Sequence, residues 1–322
     1  MDWEQLAADY EAIRPQIASL PKFGSTIQDI PRMREMMAAM QQSAPPSKFT
    51  ALTVRDVEID IQGGSIKLRI FTPDTGRERY PLCMYFHGGG WILGNLDSEA
   101  EFQRQLCTVC DAVVVAVDYR LAPEHKFPIP MQDCYDGLQW VLAHADELKV
   151  DVNKTAVTGM SGGGHLALVV ALMDVDSGRH QIKFVASVIP STCDEDAYPE
   201  HLKSRLTSMQ TNANAEFIDA KAVRFYLANL ITPEHQKSHK YVSPLLHPNL
   251  SALPPHYIAV AGLDPLRDEA IVYAQELERL GVTVELDGYP GYPHGFIIFP
   301  VEGAKRFSTR YTSAIKNDFV NM

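Results

Sequence analysis

Apolar and polar positions along this chain change their period twice. The first 50 residues follow a helical pattern, and "SAPPSKF" breaks it before the next segment. "VRDVEIDI" and "SIKLRIFTP" then alternate or run apolar around Gly63–Gly64, which predicts a β-hairpin. Six short apolar runs come next: "LCMYF", "AVVVAVDY", "TAVTG", "KFVASVI", "HYIAVAG" and "VTVELDGY". Their length, their β-branched content and the helical stretches between them predict strands of a mostly parallel sheet. One intervening helix is legible residue by residue in "DPLRDEAIVYAQELERLG". There Leu266, Ala270, Ile271, Ala274, Leu277 and Leu280 recur at three- and four-residue spacing, and Gly281 ends the run. An antiparallel start followed by repeated β-α units gives an α/β protein with one central sheet.

Two regions stand outside the alternation. Between "SVIPSTC" and "LPPHYIAVAG" lie more than fifty residues without a convincing strand, and an insertion of that length forms a lid or subdomain. The opening helices also lack a strand partner. The expected layout is a core over 51–194 and 246–322, an N-terminal helical cap segment over 1–50, and an inserted cap segment over 195–245. Met33, Met36, Met37 and Met40 fall on one helical face, and the adaptable thioether suits either packing or a pocket wall.

Composition narrows the class. With 46% hydrophobic and 21% charged residues among 322, the chain is an ordinary globular one. Its 29 basic and 40 acidic residues give a net charge of −11 without any basic block, which argues against nucleic acid or an anionic membrane as partner. Apolar runs such as "HLALVVALM" fall short of the roughly 18–20 residues that span a bilayer, so no transmembrane segment is expected. The acidic opening "MDWEQLAADYE" lacks a secretory layout, and the expected location is cytoplasmic. Five scattered cysteines do not suggest a disulfide framework. Cys107 and Cys110 form a CxxC without a second pair and read as helix packing. His235 and His239 have metal-ligand spacing but no carboxylate between them, and read as a solvated helix face. No metal and no cofactor are expected.

The chemistry concentrates in "TAVTGMSGGGHLALVVAL". A short strand ends at Gly159-Met160-Ser161-Gly162-Gly163 and an apolar helix follows at once, the strand–turn–helix context that a G-x-S-x-G nucleophile elbow requires. A serine hydroxyl attacks only when a base takes its proton and an acid holds that base in the right tautomer. In α/β-hydrolases the order along the chain is Ser, acid, His. Asp264 lies at the carboxyl end of the strand "HYIAVAG", and His294 follows one helix and one strand later on the loop "GYPGYPHGF". Ester attack also creates an oxyanion. The glycines of His87-Gly88-Gly89-Gly90, directly after "PLCMYF", can offer bare N–H groups to it. Gly88, Gly89 and Gly162 are the expected donors. Trp91, Met36 and Met37 are the candidates for substrate contact.

These motifs, with "DYRLAPEHKFP" from Asp118 to Pro128, Asp264-Pro265-Leu266-Arg267-Asp268, "SPLL…LPP" and His294-Gly295-Phe296, resemble the hormone-sensitive-lipase-like family of α/β-hydrolases over about residues 55–315. The resemblance implies an α/β-hydrolase fold with a helical cap, and esterase activity on small to medium acyl esters without a cofactor. The chain departs from the family's Gly-Asp-Ser-Ala-Gly-Gly elbow, with Met160 in place of the acid and Gly162 in place of the alanine. That places substrate preference in question before catalysis. A biosynthetic hydrolase or lyase using the same triad is the alternative. A non-catalytic receptor of the same fold is disfavoured by the presence of both Asp264 and His294. The partner expected is a small-molecule ester, and the sequence leaves a homodimer open.

Overall fold

A computed structural model describes residues 3–18, 26–42, 45–232 and 236–322. Helices α1 (Ala8–Ala18) and α2 (Ile30–Gln42) precede the sheet. The hairpin of β1 (Leu52–Ile61) and β2 (Gly64–Pro73) turns at Gly63, whose φ of +82° suits a residue without a side chain. There follow β3 (Tyr80–Phe86), α3 (Ala100–Cys110), β4 (Val113–Asp118), α4 (Ile129–Ala143), β5 (Val150–Met160) and α5 (Gly162–Asp176). After β6 (Phe184–Val188) come the short α6 (Ser208–Thr211) and α7 (Ala220–Leu230). The chain ends through β7 (His256–Ala261), α8 (Arg267–Arg279), β8 (Val284–Tyr289) and α9 (Glu302–Asn321).

One eight-stranded sheet runs in the order β1-β2-β4-β3-β5-β6-β7-β8. The pairs β1–β2 and β2–β4 are antiparallel, and every later pair is parallel. All eight strands expected from the apolar runs are present. Strands β3, β6 and β7 are buried along their whole length, as unbroken apolar runs covered on both faces should be, whereas β1 is a largely exposed edge. Chain order reverses between the neighbours β3 and β5, and in open α/β sheets such a switch point opens the crevice where ligands bind.

Two cores flank the sheet. Helices α4, α5 and α8 pack on one face, α3 and α9 on the other. α5 is apolar on all sides because it lies beneath both the sheet and the inserted segment. Burying each of its fully buried Leu and Val side chains contributes about 1.5–3 kcal/mol. The two N-terminal helices divide between the cores: Tyr10 and Ile17 of α1 join the α3/α9 side, Ile30 and Met33 of α2 the other. Among the described residues, 189–255 hold short helices and no strand, and no helix is long and apolar enough to cross a membrane.

Several expectations change. Of the four methionines on α2, Met33 is buried, Met36 and Met37 are half-buried, and Met40 is 62% exposed, so the face they share is buried only at its start. Polar bonds fasten this helix to the core instead. Arg34 donates to the carbonyls of Ile92 and Ala122 at 2.9 and 3.0 Å, and Gln41 donates to Ser98 Oγ at 2.9 Å. Leu280, expected on the apolar face of α8, caps that helix and is exposed. Cys107 and Cys110 are buried, unpaired packing residues of α3. His239 sits in a turn rather than on a helix, its ring edge-on to Phe127, and His235 lies outside the described residues.

Candidate active site

The elbow is built by close backbone approach. Ser161 is held at φ +54°, ψ −119°, a conformation that L-residues occupy only when the surroundings enforce it, at a cost of about 1–3 kcal/mol. The surroundings here are two glycines. A Cβ on Gly159 would lie 2.3 Å from the Phe86 carbonyl oxygen, and one on Gly163 would lie 2.0 Å from the same atom. Only glycine lets β5 and α5 pass β3 so tightly. The Ser161 N–H is fixed at the end of β6 by a 2.8 Å bond to Val188 O. The turn therefore presents the hydroxyl above the sheet, at the amino end of α5.

His294 and Asp264 meet that hydroxyl. His294 Nε2 lies 2.9 Å from Ser161 Oγ, and His294 Nδ1 lies 2.7 Å from Asp264 Oδ2. In this arrangement Nδ1–H donates to the carboxylate and Nε2 accepts from the serine. Asp264 and His294 are almost wholly buried, at 1% and 4% exposure, which keeps water from competing for these bonds. The second carboxylate oxygen, Oδ1, accepts the Leu266 N–H at 2.8 Å and so caps the turn before α8.

Residues that carry no motif hold the Asp264 loop. Asn212 Nδ2 donates to the carbonyls of Asp264 and Gly262 at 3.0 and 3.3 Å. The Ser208 hydroxyl donates to Pro265 O at 2.6 Å and accepts the Asp268 N–H at 3.0 Å. Thr207 donates to Asp268 through both its N–H and its hydroxyl. The inserted segment is thus bonded to the acid loop through a run of polar contacts. Deeper in, Glu269 accepts from Thr192 N–H, Cys193 N–H and the Tyr198 hydroxyl, and burial pushes its carboxyl up to about 8. Phe217, also in that segment, packs on Gly295, beside His294: a Cβ at Gly295 would lie 2.5 Å from its ring.

The glycine loop after β3 borders the elbow. The expected donor Gly88 is committed elsewhere, because its N–H points to Glu99 Oε1 at 3.2 Å. Gly90 takes its place in the geometry: a Cβ on Gly162 would lie 3.1 Å from Gly90 N. Among the described residues, the N–H groups of Gly89, Gly90 and Gly162 have no protein acceptor. Gly89 sits at φ +116° and its carbonyl accepts from Ile92 and Leu93 at 3.2 and 3.0 Å, which closes the loop into a tight turn. An alanine at Gly162 would come tight against Gly90 N.

Trp91, expected to touch substrate, is 3% exposed instead. Its Nε1–H donates to His165 Nδ1 at 3.2 Å, and His165 Nε2 lies 3.3 Å from Val242 O. Burial pushes His165 down to about 4, so this ring is a neutral link between α5 and the inserted segment. The aromatic of the inserted segment that does reach the glycine loop is Tyr226, whose ring would stand 2.5 Å from a Cβ on Gly90. No group of metal-binding side chains is present among the described residues.

Comparison with known proteins extends the picture. The α/β hydrolase fold family matches residues 83–298, a span that includes the glycine loop, the elbow, Asp264 and His294. Esterase LipI of Mycobacterium tuberculosis is 37% identical over 76% of this chain and 75% of its own length. Carboxylesterase NlhH of the same organism is 34% identical over 86% of both. The crystal structure of vibralactone cyclase superposes with a TM-score of 0.89 at 26% identity, covering 100% of this chain and 97% of its own. With its strand order, its elbow and a match of this extent, the chain belongs to the α/β-hydrolase fold family, in the hormone-sensitive-lipase-like group that its motifs resemble.

Proposed function

We propose that this protein is a serine carboxylesterase acting on small to medium acyl esters through Ser161, His294 and Asp264. The observation that carries the reading is the position of His294, hydrogen-bonded to the serine on one side and to a buried carboxylate on the other. Ser161 Oγ attacks the ester carbonyl carbon while His294 Nε2 takes its proton. The carbonyl π electrons move onto oxygen, where the N–H groups of Gly89, Gly90 and Gly162 stabilise the charge, each contributing roughly 10²–10³ in turnover. Asp264 stabilises the imidazolium and fixes its tautomer. His294 then returns the proton to the departing alcohol, which leaves an acyl ester on Ser161. Water, activated by the same imidazole, releases the acid and restores the serine.

Residues 1–50 and 195–245 act as the cap in this reading, and they supply the walls that select the ester. Tyr226 and Phe217, packed beside the oxyanion loop and the histidine loop, are the nearest of these walls, and half-buried Met36 and Met37 grade the ester's size. Five buried thiols outside any disulfide suit the expected cytoplasmic location. The similarity to a cyclase favours a second reading, a dedicated biosynthetic enzyme built on the same triad. A panel of aryl esters of increasing chain length, run with a fluorophosphonate probe, tests both. A general esterase hydrolyses several members, and Ser161→Ala abolishes turnover and labelling. Labelling without turnover of any ester favours the biosynthetic reading, and full activity of Ser161→Ala overturns both.

A further inference from the structure

Glu99 has no place in the proton path, yet its carboxyl bonds the glycine loop that borders the elbow. Oε1 accepts the Gly88 N–H at 3.2 Å and Oε2 accepts the Tyr85 hydroxyl at 2.8 Å. A Cβ on Gly88 would lie 2.8 Å from Oε1 and 3.0 Å from the Met160 carbonyl oxygen, so Gly88 is wedged between the carboxyl and the residue before the nucleophile. Glu99 itself is held in the left-handed region at φ +60°, ψ +19°, at the start of α3. No ion pair with a lysine or arginine is formed by this carboxyl among the described residues. Burial pushes it up to about 7.

The peptide geometry gives this contact a purpose. His87, kept neutral by burial, has Nδ1 2.8 Å from the Gly88 carbonyl oxygen. A trans peptide points its N–H opposite its C=O, so holding the Gly88 carbonyl also sets the direction of the Gly89 N–H. Glu99 holds the preceding peptide by its N–H. With the Tyr119 hydroxyl, which donates to the His87 carbonyl of that preceding peptide at 2.8 Å, these contacts fix both peptide planes that flank Gly88, immediately ahead of the free N–H groups of Gly89 and Gly90.

We propose that Glu99 is a positioning residue that holds the glycine loop in its oxyanion-binding conformation. This rests on the esterase reading above. What the loop needs is an acceptor of the right length rather than a charge, since a charged carboxylate near a developing oxyanion would oppose it. A carboxamide at this position retains an acceptor for Gly88 and can still bond the Tyr85 hydroxyl. A methionine has the same reach and accepts from neither.

The test compares Glu99→Gln, Glu99→Met and Glu99→Asp with the parent enzyme on one aryl ester, with affinity for a matching trifluoromethyl ketone, whose serine adduct carries the oxyanion. Misplaced donors cost about 10–100-fold here. Glu99→Met should lose that much in kcat with KM little changed, and the ketone should weaken in parallel. Glu99→Gln should stay within a few-fold of the parent. Glu99→Asp, too short to reach Gly88, should fall with the methionine variant, and it carries the test if Glu99→Met does not fold. Unchanged kcat and ketone affinity in a folded Glu99→Met or Glu99→Asp overturns the proposal, as does a Glu99→Gln enzyme as damaged as Glu99→Met. Ser161→Ala, run alongside, separates the two levels: if it stays active the esterase reading fails, and if it is inert while Glu99→Met is normal only the role of Glu99 fails.

Discussion

The two halves of the site are held in different ways. On the serine side, Gly159 and Gly163 position Ser161 by backbone against backbone, at distances that exclude any side chain. On the acid side, the loop carrying Asp264 is fastened by side chains of the inserted segment, Ser208 and Asn212. The first half is a property of the sheet itself. The second depends on side chains of the inserted segment, so that segment and the Asp264 loop are physically coupled.

Substitutions separate the two. The largest effect falls on the serine side: Gly163→Ala drives a methyl into the Phe86 carbonyl, and two backbones cannot both give way. We expect a destabilisation beyond about 4 kcal/mol, measured as loss of folded protein or of the cooperative thermal transition. Next comes Asp264→Asn, which keeps the shape but presents an amide to His294 Nδ1. Turnover should fall by about 10⁴ with the melting temperature little changed. A smaller effect is expected on the acid side from Asn212→Ala. It frees the Asp264 carbonyl without altering the carboxylate, and kcat should drop by about 10–100-fold. If Asn212→Ala lowers only the melting temperature and leaves kcat alone, the inserted segment does not position the acid.

The smallest effect is one of pH. Glu269 ties α8 to the loop after β6, and burial raises its carboxyl from 4.5 to about 8. Between those values the folded state binds more protons than the unfolded state, so stability contributed here is lost as pH rises through that window. Glu269→Gln cannot titrate. Its melting temperature relative to the parent should therefore climb as pH goes from 5 to 8, whatever the offset at pH 5. A constant difference across that range would mean that Glu269 is charged throughout.

The same contrast explains what the sequence reveals. Backbone-built features need glycine at fixed spacing, so Gly159, Ser161, Gly163 and the glycine loop are legible as motifs, and the eight strands are legible as apolar runs. Asp264 and His294 are found through strand ends and chain order. Side-chain supports leave no such trace. Asn212 and Ser208 sit in a polar stretch with no periodic signal, and their partners are carbonyls 50 or more residues away in sequence. Glu99 looks like any surface glutamate in "DSEAEF". Even within a motif, spacing does not say where an N–H points, and so Gly88 is read as an oxyanion donor although its N–H is bonded to Glu99. Trp91 shows the converse, a large aromatic beside the site that is consumed in packing against His165.

The central claim is that Ser161 becomes acylated during turnover. Rapid acid quench of the enzyme with a p-nitrophenyl acetate, followed by peptide mass mapping, tests it most directly. The account predicts one acetyl group, on the peptide containing Ser161, absent from Ser161→Ala and accumulating further in a variant slowed in deacylation. Hydrolysis at the parent rate with no acetyl on that peptide, or with acetyl on another residue, would contradict it.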